Sequence, residues 1–141
     1  IFAIWKSELA CKQNNEVVCQ IVNWSHHVDF ILKKAAKRIY FIYLLVKSGL
    51  KSSDVVSVYC SVIRSVLEYA SPVWHPGLTI AQSKLIEGVQ KRCLKIIFPE
   101  LDYNDALFIS GLQKLSVRRN IATRDLFNEI NKTQIMCCTI C

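Results

Sequence analysis

Residues 24–47, WSHHVDFILKKAAKRIYFIYLLVK, are the stretch that decides the fold. Apolar residues recur in it every three or four positions, which is the spacing of one face of an α-helix. That face comprises Val28, Ile31, Leu32, Ala35, Ile39, Ile42, Tyr43 and Val46. We predict an amphipathic helix that is capped by Asn23 or Ser25 and ends at Gly49, because glycine readily adopts the left-handed conformation of a helix stop.

The same spacing predicts two further helices in the middle of the chain. The first of them starts at Ser52 or Ser53 and is stopped by Pro72. The next opens with a capping box of Thr79 and Gln82 and runs to about residue 98. Its predicted apolar side consists of Leu85, Ile86, Val89, Cys93 and Ile97.

Two more helices are predicted after Pro99. The fourth helix is capped by Asp102 or Asn104 and closes at Gly111. The last is capped by Ser116, with Val117, Ile121, Leu126 and Ile130 predicted inward and Arg118, Arg119 and Arg124 outward. Since no strand pair with a tight turn is readable, we predict an all-α bundle of about five amphipathic helices.

The helical pattern covers residues 22–131, which we predict to be one domain. Residues 1–21 are weakly patterned, and residues 132–141 form a cysteine-rich tail that we expect to be disordered. The abrupt start and end indicate a piece of a longer reading frame. No signal peptide and no apolar run of the ~20 residues that cross a bilayer is readable. The seven cysteines form no disulfide framework. We therefore expect reduced thiols and an intracellular protein, cytoplasmic or nuclear, with no membrane partner.

The net charge of +7 favours a polyanionic partner, with nucleic acid ahead of a membrane. Basic residues are grouped on two predicted helices: Lys33, Lys34, Lys37 and Arg38 on the first, and Lys91, Arg92 and Lys95 on the third. These seven residues are the predicted phosphate contacts. A charged face that only meets water is the alternative, and charge patterning alone does not exclude it.

The turn SVLEYASPVWHPGLT, residues 65–79, places three ring side chains between two helices. Tyr69, Trp74 and His75 are candidates for stacking on nucleic-acid bases, as aromatics do in proteins that bind single strands. A tryptophan between two prolines more often pins an interhelical turn to the core. We therefore predict that this segment is a hinge with a stacking role as the alternative, and not an active site.

The sequence offers no convincing catalytic or metal-binding constellation. His27 and Asp29 spell the H-x-D of a facial triad, but they fall on a helix, where a capping role explains the carboxylate. Cys138 and Cys141 form a lone C-x-x-C, and no second pair follows to close a zinc site. An adjacent aspartate pair, as two-metal polymerase chemistry uses, is also missing. We predict no catalytic residue, no metal site and no cofactor.

An ordered set of short motifs joins these segments: Ile63-Arg64-Ser65, Leu67-Glu68-Tyr69-Ala70, Pro72-Val73-Trp74, Gln90-Lys91-Arg92, Gly111-Leu112 and Arg118-Arg119. Together with the surrounding residues 23–130, it resembles the C-terminal part of reverse transcriptases from non-LTR retrotransposons, the LINE-type elements of the jockey and CR1 kind. The resemblance implies the helical thumb and connector that follow the palm. In that family the thumb holds the template–primer, so nucleic acid and the rest of the polymerase polypeptide are the implied partners. The family's catalytic palm aspartates lie upstream of this region, so the resemblance implies a chain that is inactive alone as an RNA-directed DNA polymerase.

Two other interpretations stay open. Residues 28–51 are also similar to the short N-terminal domain of AlkB homologue eight, an RNA-modifying oxygenase and methyltransferase, without its oxygenase core or iron ligands. A basic helical protein-interaction module is the alternative from another class, in which the lysines and arginines serve only solubility. Measured affinity for a primer–template duplex separates these interpretations.

Overall fold

The computed structural model describes the backbone of residues 24–138 and the side chains of residues 24–130 and 132. All regular elements in this range are helical, which confirms the predicted all-α class. They are α1 (Ser25–Lys47), α2 (Ser52–Tyr59), a π-helical segment (Cys60–Arg64), α3 (Ser65–Glu68), α4 (Ser71–Trp74), a 3-10 turn (His75–Gly77), α5 (Ile80–Ile97), α6 (Tyr103–Ser110) and α7 (Leu115–Cys138). Residues 52–68 are helical without a break, and we call them the central rod.

Two helix starts are set by the residues that the sequence predicts. Thr79 Oγ1 accepts a hydrogen bond from the backbone N–H of Gln82 at 3.2 Å, and Gln82 Oε1 accepts one from the backbone N–H of Thr79 at 2.9 Å. This reciprocal pair is the capping box of α5. Asp102 accepts from the backbone N–H of Asn104 and is the N-cap of α6. Each cap satisfies backbone donors that the first turn of a helix leaves unpaired.

The predicted starts of the first two helices are wrong by one to two residues. The N-cap of α1 is Trp24, whose side chain makes no capping hydrogen bond, and Ser25 lies inside the helix. Asn23, the other predicted cap, lies outside the described residues. The N-cap of α2 is Lys51, so both Ser52 and Ser53 belong to the first helical turn.

Left-handed residues follow three of the helices. Gly49 after α1 has φ of 82° and Gly111 after α6 has φ of 65°, as the sequence predicts. The central rod ends at Glu68, earlier than the predicted stop at Pro72, because Ala70 turns the chain with φ of 51°. A Cβ is unfavourable in that conformation. Pro72 instead lies in the first turn of α4, where its missing N–H is tolerated.

The hydrophobic core lies between α1, the central rod and α5, and α1 packs along α5. Fully buried members of the core are contributed by all three elements and by the hinge: Val28, Ala35, Ile42, Val55, Tyr59, Ile63, Leu67, Trp74, Ile86 and Cys93. The predicted apolar side of α5 is correct for Ile86, Cys93 and Ile97. It is wrong for Leu85, which is exposed. Gln90, which was not part of the predicted apolar side, is fully buried.

A chain of polar groups holds α5, α6 and the start of α7 together. Tyr59 Oη donates to Gln90 Oε1 at 2.8 Å, and Gln90 Nε2 donates to Tyr103 Oη at 3.1 Å. Tyr103 Oη in turn donates to the Glu87 carboxylate. That carboxylate also accepts the backbone N–H groups of residues 115 and 116, both at 3.3 Å. Glu87 of α5 therefore caps α7, whereas the sequence predicted Ser116 as the cap. Its negative charge lies at the positive end of the helix dipole.

The buried face of α7 differs from the predicted one. Val117, Ile121, Leu126 and Ile130, predicted inward, are all exposed, whereas Leu115 and Arg119 are fully buried. The reason is that α7 packs through its first turns against α4, the 3-10 turn and α5. Within these first turns of α7, the fully buried residues are Leu115 and Arg119, which lie four positions apart on one face. The helix then continues to residue 138, through most of the segment that was predicted as a disordered tail.

Candidate nucleic-acid interface

Three of the predicted phosphate contacts form an exposed basic row on α1. Lys33, Lys34 and Lys37 are all exposed, on the side of the helix opposite to the buried residues. Their spacing of three and four residues places their ammonium groups along one face. Asp29, one turn before Lys33, is the carboxylate of α1 nearest to this row, and no aspartate or glutamate occurs between Phe30 and Lys47.

Arg38 does not belong to this row. It is half-buried, and its Nη1 donates a hydrogen bond of 2.6 Å to the carbonyl oxygen of Val62. Val62 lies in the π-helical segment, where the hydrogen-bond register of the helix shifts by one residue. Arg38 therefore ties α1 to the central rod, and its role as a phosphate contact stays a prediction.

Exposed aromatic side chains lie among the lysines of α1. Phe30, Tyr40 and Phe41 expose 58%, 62% and 58% of their surfaces. Lys34 Nζ lies 5.9 Å from the centre of the Phe30 ring, and the rings of Tyr40 and Tyr43 stack with centroids 6.4 Å apart. We call this surface the α1 outer face; it consists of Phe30, Lys33, Lys34, Lys37, Tyr40, Phe41, Tyr43 and Leu44.

The sequence analysis did not predict that aromatic residues share the α1 outer face with the lysines. Tyr43 was assigned to the core side, and it is exposed. The signal was present, because Phe30, Lys37 and Phe41 are separated by seven and four residues, which are close to two turns and one turn of a helix. Phe30 and Phe41 therefore had to share the face of the lysine between them.

The second basic group lies on the exposed side of α5, where Lys91, Arg92 and Lys95 all face solvent. Two of them contact the chain near the start of α6. Lys91 Nζ lies 5.0 Å from the centre of the Tyr103 ring, and Lys95 Nζ donates to the carbonyl oxygen of Pro99 at 2.6 Å. Both lysines line an open cleft of about 480 Å³ whose lining also includes Glu100 and Asp102. The nearby carboxylates reduce the positive potential of this group.

The two basic groups lie on different helices that share one core. The buried residues of α1 and α5 belong to one shared core, among them Ala35 and Ile42 from α1 and Ile86 and Cys93 from α5. Each basic group lies on the side of its helix that is turned away from this core.

The structure places the three ring residues of the hinge in different environments. Tyr69 is 70% exposed, whereas Trp74 is only 1% exposed and its Nε1 donates to the carbonyl oxygen of Tyr69 at 2.8 Å. His75 is half-buried and its Nε2 lies 2.8 Å from Asn120 Oδ1. Trp74 and His75 therefore pin the hinge to the core and to α7, and of the three rings only that of Tyr69 is open to a ligand.

Several residues of the motif set contact one another beside the hinge. Glu68 Oε1 accepts from Arg118 Nε at 2.7 Å, and Arg64 Nε lies 3.8 Å from Glu68 Oε2. The hydrogen bond to Glu68 raises the pKa of Arg118. Arg119, predicted outward, has its guanidinium carbon 6.0 Å from the Trp74 ring centre and donates from Nη2 to Ser83 Oγ at 3.0 Å. Burial lowers the pKa of this arginine. These motifs hold α7 against the hinge.

The residues that spell the H-x-D pattern do not form a metal site. The ring of His27 packs against those of Trp24 and Trp74, with centroids 5.9 and 5.5 Å away, and burial lowers its pKa. Across the part of the chain that the structure describes, no three His, Cys, Asp or Glu residues are grouped as metal ligands. The C-x-x-C at 138–141 lies outside the described side chains. Among the described helices none is long and apolar enough to cross a membrane.

Comparison of the chain with family models, with curated proteins and with solved structures finds no match.

Proposed function

We propose that this chain binds the phosphate backbone of nucleic acid through the α1 outer face, as the helical thumb-like region that follows the palm of a reverse transcriptase. The observation that carries the binding proposal is the row of three exposed lysines on α1, which has a single exposed carboxylate, that of Asp29, one turn before Lys33 on the same helix. The assignment to a polymerase rests on the sequence resemblance alone. Residues of its motifs on α3, α4 and α7 contact one another, which is what a shared scaffold requires.

The number of exposed lysines limits the electrostatic part of the binding. If Lys33, Lys34 and Lys37 each neutralise one phosphate, log K for a duplex falls with log salt at a slope of roughly −3. The α5 group adds little to this slope, because Glu100 and Asp102 line the same cleft as two of its lysines. The protein contributes no acidic metal ligands in this proposal, so it holds nucleic acid and leaves nucleotide transfer to another part of the polypeptide.

The test compares two variants that remove the same charge. One is the triple variant Lys33→Gln, Lys34→Gln and Lys37→Gln; the other is Lys91→Gln, Arg92→Gln and Lys95→Gln. Affinity for a labelled duplex is measured by fluorescence anisotropy between about 50 and 200 mM salt. We expect the α1 variant to lose most of the salt dependence and the α5 variant to retain it. Equal effects of the two variants would show that only net charge matters, and a parent chain that binds no nucleic acid refutes the proposal.

A protein-interaction module is the second candidate, and the exposed apolar residues of α7 favour it. Val117, Ile121 and Phe127 are exposed on this helix in the part of the chain that the structure describes. This second function is supported if the chain shows no binding to nucleic acid but forms a stable complex with itself or with an apolar helical peptide.

A further inference from the structure

We propose that the ligand of the α1 outer face is single-stranded nucleic acid, whose bases stack on the exposed aromatic rings while its phosphates contact the lysines. This inference rests on the proposed function and names the form of nucleic acid that the face accepts. Along the helix the three lysines, Lys33, Lys34 and Lys37, lie between the ring of Phe30 on one side and those of Tyr40, Phe41 and Tyr43 on the other. At 1.5 Å per residue they cover about 20 Å of helix.

The rings distinguish a single strand from a duplex. In a duplex the bases stack on one another, so a protein that lies on its backbone meets phosphates and sugars rather than base faces. In such a complex the lysines of α1 would contact phosphates, whereas its four exposed aromatic rings would have no base face to stack on. Unpaired bases offer their faces to such rings, and proteins that bind single strands combine stacking rings with a basic track for the backbone. Tyr40 and Tyr43 already stack on each other and present a two-ring surface at one edge of the face.

The charge pattern distinguishes nucleic acid from a membrane or a protein. Helices that lie in a membrane surface carry apolar residues on one face and charges on the other. On α1 the purely apolar face is occupied by the protein core, and the outer face mixes rings with lysines. Protein interfaces are depleted in lysine. A partner with negative charge and flat rings is complementary to both components of this surface.

The experiment removes the rings and leaves every charge in place. The test variant of the full chain is Phe30→Ala, Tyr40→Ala and Phe41→Ala. The matched control is Ile80→Ala, Phe108→Ala and Phe127→Ala, which removes three large exposed apolar side chains outside the proposed site, at positions 78%, 88% and 63% exposed. Circular dichroism on heating checks that both variants keep the parent's fold. The ligands are a labelled pyrimidine strand of about ten nucleotides and a hairpin duplex of similar charge, with anionic phospholipid vesicles as a separate arm.

We expect the parent to bind the strand about tenfold or more tightly than the hairpin. The test variant should lose that preference, with its affinity for the strand reduced at least about tenfold and its salt dependence unchanged, because stacking carries no charge. The control variant should bind as the parent does. Duplex binding that needs the lysines but not the rings leaves the proposed function intact and overturns this inference. A parent that binds neither nucleic acid overturns both, and rings that are needed for vesicles but not for the strand overturn the inference in favour of a membrane surface.

Discussion

Replacing Trp74 by alanine tests whether the hinge is part of the core or part of a binding surface. The indole is 1% exposed, and its Nε1 donates to the Tyr69 carbonyl at 2.8 Å. Its ring lies 5.5 Å from that of His27 on α1 and 6.0 Å from the guanidinium carbon of Arg119 on α7. The side chain thus joins the first and last described helices through the hinge, and its removal should affect both.

The expected cost follows from these contacts. Truncation of a buried tryptophan to alanine destabilises a protein by about 3 to 5 kcal/mol through lost transfer free energy and the cavity left behind. The unpaired Tyr69 carbonyl adds about 1 kcal/mol. The Arg119 guanidinium also loses the ring beside it, which makes its burial less favourable. We expect the free energy of unfolding to fall by about 4 to 6 kcal/mol, a large part of the stability of a domain of this size.

Urea unfolding followed by the far-ultraviolet circular dichroism of the helices measures this change. Trp74→Phe keeps most of the ring but not the N–H donor, so it should lose only about 1 to 2 kcal/mol and remain measurable if the alanine variant does not fold. Tyr69→Ala is the control at an exposed neighbour, with an expected change within about 0.5 kcal/mol. The reasoning is refuted if Trp74→Ala is as stable as the parent but no longer binds single strands, because the indole would then be a stacking surface.

Two further predictions concern the core network and the hinge. Burial raises the pKa values of Tyr59 and Tyr103 above the ~10 of an unfolded chain and that of the Cys93 thiol to about 12, so the unfolded state releases these protons first as the pH rises. The contribution of these three groups to stability should therefore be constant below about pH 8 and fall steadily above about pH 9. Tyr59→Phe should flatten that alkaline fall in urea titrations at several pH values, and a parent whose stability does not change between about pH 9 and pH 12 contradicts this. Ala70→Gly should stabilise the protein by up to about 1 kcal/mol, because φ of 51° strains an alanine and not a glycine. A loss of thermal stability in this variant would mean that the entropy of the unfolded glycine outweighs the strain.

The predictions that succeeded were those that depend on local chemistry. The capping box of Thr79 and Gln82 and the glycine after α6 depend on neighbouring residues, so the sequence alone determines them. The core side of α1 was also predictable, since its apolar residues follow one helical period. Ala70 was not predictable, because alanine rarely adopts the left-handed conformation and only the surrounding packing imposes it here.

The predictions that failed were those that depend on which helix packs where. The hydrogen bond of Arg38 was likewise not predictable, because its partner is a carbonyl 24 residues away in a π-helical segment that no sequence pattern indicates. In α7, Val117 and Ile121 were predicted to be buried because they follow a helical period, but the structure exposes this side of the helix. The hinge buries Arg119 instead, and a buried guanidinium beside a tryptophan ring has no signature in hydrophobic periodicity.

The motif residues that carry the resemblance and the residues that carry the binding proposal are largely different. Glu68, Trp74 and the two arginines at 118 and 119 fix the angle between the hinge and α7, and none of them belongs to the α1 outer face. A sequence with these motifs can therefore have the same scaffold whether or not it binds nucleic acid. The lysines and rings of α1 can be removed without breaking a contact of the core, because they point away from it. Scaffold and binding are thus separable by mutation: substitutions at the hinge should act on stability first, and substitutions on the α1 outer face should act on affinity alone.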